Sequence, residues 1–435
     1  MNKKKLIFIE LNELNFDIVK KYVNSEKLNN LKKIIEGNFI ETESESEYKL
    51  IEPWIQWVTI HTGLTANEHK VFRLGDIVNK DLPQIFEEIE RKGYDVGAIM
   101  PMNTSNRLKN PKFFIPDAWT QTKTDGSFWS NLLHNSLSKI VNDNSKKQFS
   151  ILSLFLLLIC FLKFSKIKNY FLYLGLIFKG IKYKYNLAIF LDLFLHDVHL
   201  TLFQKHKPNF SSIFFNASAH IQHHYFFNTK YDNDSMQKNP DWYLSDKKDP
   251  FLEVLRLYDK IIGDYLNLKE YNLIITTGFS QKKYDRVKFY YRLKKHNIFL
   301  NKLGIRFKEI FPRMTRDFLV TFENEREALI AENILLSVKS IDNESIFTEI
   351  ENRGTSLFVV LGYPREITNN FIIISNGKKL NFYNEVAFVG LKNGMHNSKG
   401  FIYLDNSFEK KYNDGFNIKL IHGIILDYFD KKSFN

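Results

Sequence analysis

The chain begins with a short apolar run, Leu6 to Ile9, that stops at a polar cluster of Glu10, Asn12 and Glu13. A run of that length, closed by polar residues, predicts a buried strand. Phe16, Ile18, Val19, Tyr22, Leu28 and Leu31 then recur at helical spacing, which predicts helix within residues 14–35. Leu82 to Lys92 reads as a helix stopped by Gly93, and Asp95 to Met100 as the next strand. The alternation returns with a strand over Ser211 to Phe215, the polar and aromatic stretch His220 to Phe227, a helix over Phe251 to Leu268 and a strand over Asn272 to Thr276. Further strands are expected at 355–361 and 371–375, and a polar loop at 228–250. Strands and helices in this order predict the α/β class, a three-layer α/β/α sandwich with a mostly parallel central sheet and helical insertions.

Two stretches break the rhythm. Phe149 to Leu162 carries no charge and is followed by Lys163, Lys166 and Lys168, then by apolar Tyr170 to Phe178 and more lysines. As a helix the first run spans about 21 Å, short of the roughly 30 Å hydrocarbon core of a bilayer, so it is not expected to cross one. Two readings stay open: a buried helical cap on the core, or an element lying in an anionic membrane interface through 149–185. Residues 282–350 are basic and suggest a second insertion, where Arg313, Arg316 and Asp317 are either an anion contact or a solvated surface. The expected organisation is a first part of the core at 1–148, an insertion or cap at 149–207, a second part of the core at 208–281, an insertion at 282–350 and a last part at 351–435.

Composition narrows the function. The 435 residues carry a net charge of +12, which favours anionic partners such as phosphorylated substrates or anionic lipid. The lysines are spread without a dense basic block, so no nucleic-acid partner is expected. The single cysteine, Cys160, excludes an internal disulfide and a cysteine-based metal cluster and fits a reducing compartment. The apolar run after Lys3 to Lys5 is too short for a secretory signal. A cytoplasmic location is expected, peripheral at the inner membrane face if the apolar insertion meets lipid.

Four polar clusters fall at or after strand ends, where open parallel sheets bind ligands. His220 and His224 in AHIQHHYFF are four apart and share a helix face, a spacing that suits two imidazoles on one cation, with His223 to the side. The alternative is a set of histidines packed among Tyr225, Phe226 and Phe227. His396 stands between Gly394 and Gly400 on what reads as a loop and is a candidate third ligand. Glu10 and Glu13 flank Asn12, and a carboxylate there is a candidate ligand or base; the alternative is an acid at a helix N-terminus, which explains Glu13 better than Glu10. EPWIQWVTIHTG, residues 52–63, carries Glu52, Gln56, Thr59 and His61. Thr277, Gly278 and Ser280 follow a strand, where a phosphate oxygen could meet backbone N–H groups.

Taken in order, these segments resemble the alkaline phosphatase superfamily, in particular its type I phosphodiesterase/nucleotide pyrophosphatase branch. Glu10 stands where the family has an acid ending its first strand. Thr62, Gly63 and His69 in TGLTANEHKVF match the tail of the nucleophile segment, FFNASAHIQHHYFF the Asp-x-x-x-His segment, TTGFSQ the place of a Ser-Asp-His-Gly motif, and Gly394, His396 and Gly400 the last His loop.

The departures are specific. The nucleophile's place falls at or next to Pro53, leaving Glu52 as the nearest ionisable group, and Thr277-Gly278 replaces the family's Asp-His. The resemblance thus implies a metal-dependent hydrolase or transferase of phosphate esters, on a phosphodiester or phosphomonoester; the basic balance and the apolar insertion would suit a lipid- or glycan-linked one. One divalent ion, zinc or manganese, would sit on His220, His224, His396 and Glu10. Glu52 and Glu10 would be the catalytic carboxylates, and Asn12, Gln56, Thr277 and Ser280 the substrate contacts. The alternative it leaves is a catalytically inactive relative that binds a phosphorylated ligand or partner.

Overall fold

Eight strands form the central sheet of the computed structural model, which describes residues 4–146, 151–232, 237–313, 316–408 and 412–430. Six of them are β1 (Leu6–Leu11), β2 (Phe39–Glu43), β3 (Val96–Ile99), β4 (Phe113–Ile115), β5 (Phe210–Phe215) and β6 (Asn272–Thr276). Across the sheet the order is Phe416–Asn417, β2, Lys399–Leu404, β6, β1, β5, β3, β4. β1 runs parallel to both neighbours, and Lys399–Leu404 runs antiparallel between β6 and β2. Every residue of β1 and β5 is buried, as strands covered on both faces must be. That is why they read as near-continuous apolar runs.

Successive residues of β5 show what covers each face, because they point to opposite sides of the sheet. Phe214 meets Trp57 of the helix Pro53–Thr62, whereas Phe215 meets Tyr258 of the helix Pro250–Leu266. Likewise Phe210 meets Phe86 and Phe429, while Ser211 faces His199 on the helix Tyr185–His206. Helices therefore lie on both faces, and the α/β/α arrangement expected from the alternation is present. The helical stretch within 14–35 resolves into α1 (Phe16–Val23), capped by the Asn15 side chain, and α2 (Asn29–Glu36). The segment 52–63 forms α3 (Pro53–Thr62), with Pro53 in its first turn and Gly63 left-handed at its end.

The helix Tyr185–His206 is long and apolar enough to cross a membrane, yet 67% of its apolar window is buried within the chain. Its acids are internal struts. Asp192 accepts from the backbone of Asn216 and Ala217 and from Tyr258, and Asp197 from Tyr173, Asn169 and the Lys166 backbone. The stretch 149–207 is thus not a single insertion, because this last helix belongs to the core layer on β5. The helices Ile151–Phe164 and Tyr170–Lys182 pack on it from outside.

The chain divides into two compact units, Met1–Val141, Phe149–Tyr284 and Gly394–Asn435 in one, and Asn142–Gln148 and Asp285–Asn393 in the other. This corrects the expected boundaries at 282–350 and 351–435. The strands Ser356–Leu361 and Ile372–Ser375 exist, but they pair antiparallel with Asp317–Thr321, Phe347–Asn352 and Lys378–Asn381 rather than with the central sheet. The second unit has its own core, in which Phe299, Phe318, Val359 and Phe382 are fully buried.

Two core histidines give the first unit a pH dependence. His199 lies between the Ser211 and Tyr265 hydroxyls, and burial holds its pKa down to about 3. His69 meets Thr59, and burial, helped by the charge of Lys80, holds it near about 4. Both folded values lie below the unfolded value of about 6.5, so the unfolded chain takes up these protons first as pH falls. Their contribution is intact above that value and is lost below it, at about 2 kcal/mol per histidine between pH 7 and pH 5. Thermal unfolding followed by circular dichroism should show the midpoint falling over this range, and falling less steeply in His199→Gln.

Candidate metal centre

The turn after β1 carries two acids with different fates. Glu10, still within the strand, is fully buried; its carboxylate accepts from the Ser212 hydroxyl and lies 3.3 Å from His61 Nε2. His61 Nδ1 in turn meets the Thr104 hydroxyl at 3.1 Å. The environment of Glu10 is therefore a closed internal network, which corrects its expected roles as ligand and base. Glu13 adopts a left-handed φ of 59°, which turns its side chain away from that network.

What Glu13 meets defines the site. Its Oε2 lies 3.1 Å from His223 Nε2 and 3.3 Å from His396 Nε2, and it accepts from Gln281 Nε2 at 2.5 Å. Its Oε1 accepts from Asn12 Nδ2 at 3.1 Å. One ligand atom from each of Glu13, His223 and His396 lies within 4.8 Å of the others, and among the described residues this is the group of acids and histidines arranged to hold an ion. Burial pushes the Glu13 carboxyl upward, but the charges of His223 and His396 and their hydrogen bonds more than reverse it and hold it well below the usual range.

The donor set fits a divalent ion on three counts. Two imidazoles and one carboxylate are the ligands of an open tetrahedral zinc site. At metal–ligand bonds of about 2.0–2.1 Å, tetrahedral ligands stand roughly 3.3 Å apart, close to the two Glu13–imidazole separations. Both rings also present Nε2 to Glu13 and aim Nδ1 at an acceptor: His223 at the Gly394 carbonyl, 3.5 Å, and His396 at Glu52 Oε2, 3.7 Å. These contacts leave both rings with Nε2 toward Glu13 and Nδ1 toward a negatively polarised oxygen, the orientation that outer partners of ligating imidazoles favour.

Local packing explains why His223 is the residue presented. The helix Ala217–Tyr225 is held to the β1 turn by Ser218, which donates to the Asn12 carbonyl, and by Gln222, which donates to the Glu13 carbonyl and accepts from the Asn15 N–H. That phase turns residues 218 and 222 inward and brings His223 over Glu13. His220 and His224 do share a face, with ring centroids 5.0 Å apart, but they are outside the group that includes His396. The pairing of His220 and His224 with His396 is corrected to His223 with His396. His396 sits in a strand, Val386–Asn397, not in a loop.

The expected substrate contacts prove internal. Asn12 bridges Glu13 and Asn216 and accepts from the Trp57 indole. Gln56 is fully buried and donates to the Leu50 carbonyl. Thr277 accepts from the Phe401 N–H, and the buried Ser280 hydroxyl has no hydrogen-bond partner among the described residues. Gly278, at φ +71°, packs against Trp57, whose ring would lie 3.3 Å from an added Cβ. Glu52 is different: its side chain is 28% exposed and it borders His396. Sequence reading missed Gln281, Gln222 and the role of Glu13; the paired glutamines near strand ends were the available signal.

No protein-family model matches the chain, and no curated protein matches its sequence. Among solved structures it is similar to murine ectonucleotide pyrophosphatase/phosphodiesterase 5, at 11% identity over 99% of this chain and 96% of that one, with a TM-score of 0.41. It is also similar to phosphonoacetate hydrolase from Sinorhizobium meliloti 1021 in complex with phosphonoformate, at 10% identity over 98% and 96%, TM-score 0.43. A third is alkaline phosphatase from the Antarctic bacterium TAB5, at 9% identity over 99% of both chains, TM-score 0.43.

The tight seat of the His396 strand can be tested directly. A Cβ on Gly394 would fall on Gln281 Oε1 and within 2.6 Å of the Gln222 carbonyl oxygen. Gly394→Ala should therefore cost about 1–3 kcal/mol in urea unfolding, as overpacking does. A neutral result would mean the strand is held elsewhere.

Proposed function

We propose that the chain is a metal-dependent hydrolase or transferase of phosphate esters that works with one divalent ion, zinc or manganese, held by Glu13, His223 and His396. The observation that carries this reading is the meeting of two imidazole Nε2 atoms on one buried carboxylate oxygen, from three separate segments. It lies beyond the carboxyl end of β1, beside the helix that follows β5, at the rim where parallel sheets bind ligands. A bound ion supplies charge stabilisation to a phosphoryl oxygen.

The chain's own residues do the rest. Asn12 and Gln281 hold the Glu13 carboxylate in place. The Gly394 carbonyl and the Glu52 carboxylate border the Nδ1 sides of the two rings. Glu52, the partly exposed carboxylate of the group, accepts the proton of the attacking water or hydroxyl at its Oε2. The substrate we favour is a phosphodiester or phosphomonoester on a lipid or glycan, met in the cytoplasm at the inner membrane face. That choice rests on the net charge of +12 and the apolar insertion. A second reading, an inactive relative that binds a phosphorylated ligand, is favoured by Pro53 and Glu52 standing where the resemblance places a hydroxyl nucleophile.

Metal analysis after dialysis against zinc or manganese should find one ion per chain, lost in Glu13→Ala and His223→Ala and kept in His224→Ala. Glu52→Gln should weaken ion binding by about tenfold or less, through loss of the negative charge beside His396. Turnover of p-nitrophenyl phosphate or bis-p-nitrophenyl phosphate should follow the ion. Binding of the ion with no turnover would favour the inactive reading, and absence of both would sink the enzyme.

A further inference from the structure

We propose that the outer face of the helices Ile151–Phe164 and Tyr170–Lys182 docks on an anionic lipid surface. In a water-facing helix the apolar stripe turns to the core and polar residues turn outward. Here the outward stripe is apolar in both. Phe171, Leu174, Phe178 and Ile181 step by three and four along the second helix, with Phe171 90% and Ile181 70% exposed. Leu152, Phe155, Leu158 and Leu162 do the same along the first, with Leu162 64% exposed. The inward sides, with Cys160 and Phe164 on one and Tyr173 and Leu176 on the other, are buried against the core. Two stripes of this kind exceed the scattered apolar residues of an ordinary surface.

Charge selects the occupant. Between Asp143 and Asp192 the sequence has no Asp or Glu, while Lys163, Lys166, Lys168, Lys179, Lys182 and Lys184 flank the helices. Among the described residues, the lysine ammonium groups here meet acids of the helix Pro250–Leu266, where Glu253 pairs with Lys179 and Asp264 with Lys168, each at 3.0 Å. A second copy laid on this face would set lysines against lysines. An anionic headgroup layer meets them, while their stems lie along the apolar surface. At 14 and 13 residues the helices are about 21 and 20 Å long, too short to cross the bilayer and suited to lying in its interface.

The test uses the full chain without added metal, so it is independent of the proposed ion site. In vesicle flotation it should partition onto phosphatidylcholine with about a third phosphatidylglycerol roughly tenfold or more over phosphatidylcholine alone, and the preference should shrink on raising salt to about 0.5 M. Phe171→Asp combined with Phe178→Asp should abolish flotation while the circular dichroism spectrum is kept. If that variant does not fold, Lys182→Gln with Lys184→Gln should reduce the anionic preference several-fold. Failure to float, equal partition onto both vesicles, or a dimer in solution that the phenylalanine substitutions dissolve would each overturn the proposal.

Discussion

A carboxylate removed from water has to be met by charge or by hydrogen bonds, or the burial is too costly to persist. The Glu13 side chain is 1% exposed, and four segments supply what it needs: Asn12 beside it, Gln281 after β6, His223 after β5 and His396 near the end of its strand. The left-handed backbone at Glu13 costs about 1–3 kcal/mol and persists because those partners over-determine it. The contact that closes the turn after β1 is therefore the same contact that assembles the candidate centre. An ion placed there replaces ion pairs already at ligand spacing and requires no new convergence of the chain.

The two acids of that turn show how surroundings decide role. Glu10 and Glu13 are both buried, and sequence favours Glu10 because it closes the strand. Glu10, however, is surrounded by Ser212 and by His61, itself fully buried and tied to Thr104. Glu13 faces two imidazoles whose side chains are 18% and 10% exposed, whereas His61 beside Glu10 is fully buried. A carboxylate with only internal partners is a strut, as Asp192 and Asp197 are. One bordered by histidines that reach the surface in part can exchange a partner.

Much of the fold was legible, and for a definite reason. β1, β5 and β6 are buried on both faces, so their apolar runs stand out against the polar ends that follow. The meeting of the HIQHH helix with the strand of His396 was also readable from the order of the segments. Which histidine makes the meeting was not. The rule of four favours His220 with His224, but helix phase is set by Ser218 and Gln222 gripping the backbone of Asn12 and Glu13, some two hundred residues away. Nor does a left-handed glutamate announce itself, since nothing in local composition forces it. Strands 356–361 and 372–375 were visible as strands, but their partners lie in the second unit, and pairing is a long-range property.

Hydropathy alone fails in the same way at the apolar helices. Tyr185–His206 passes the length and composition test for a membrane span, yet it is the one laid against β5. The shorter helices outside it fall below spanning length and carry the exposed stripes. Acid placement separates them. Asp192 and Asp197 would be ruinous in lipid, and each is saturated by donors from neighbouring core elements. Ile151–Phe164 and Tyr170–Lys182 contain no acid at all and end in lysines. A buried acid with internal donors marks a helix whose surroundings are protein, whereas an acid-free, lysine-ended apolar face has no such claim on the chain that carries it.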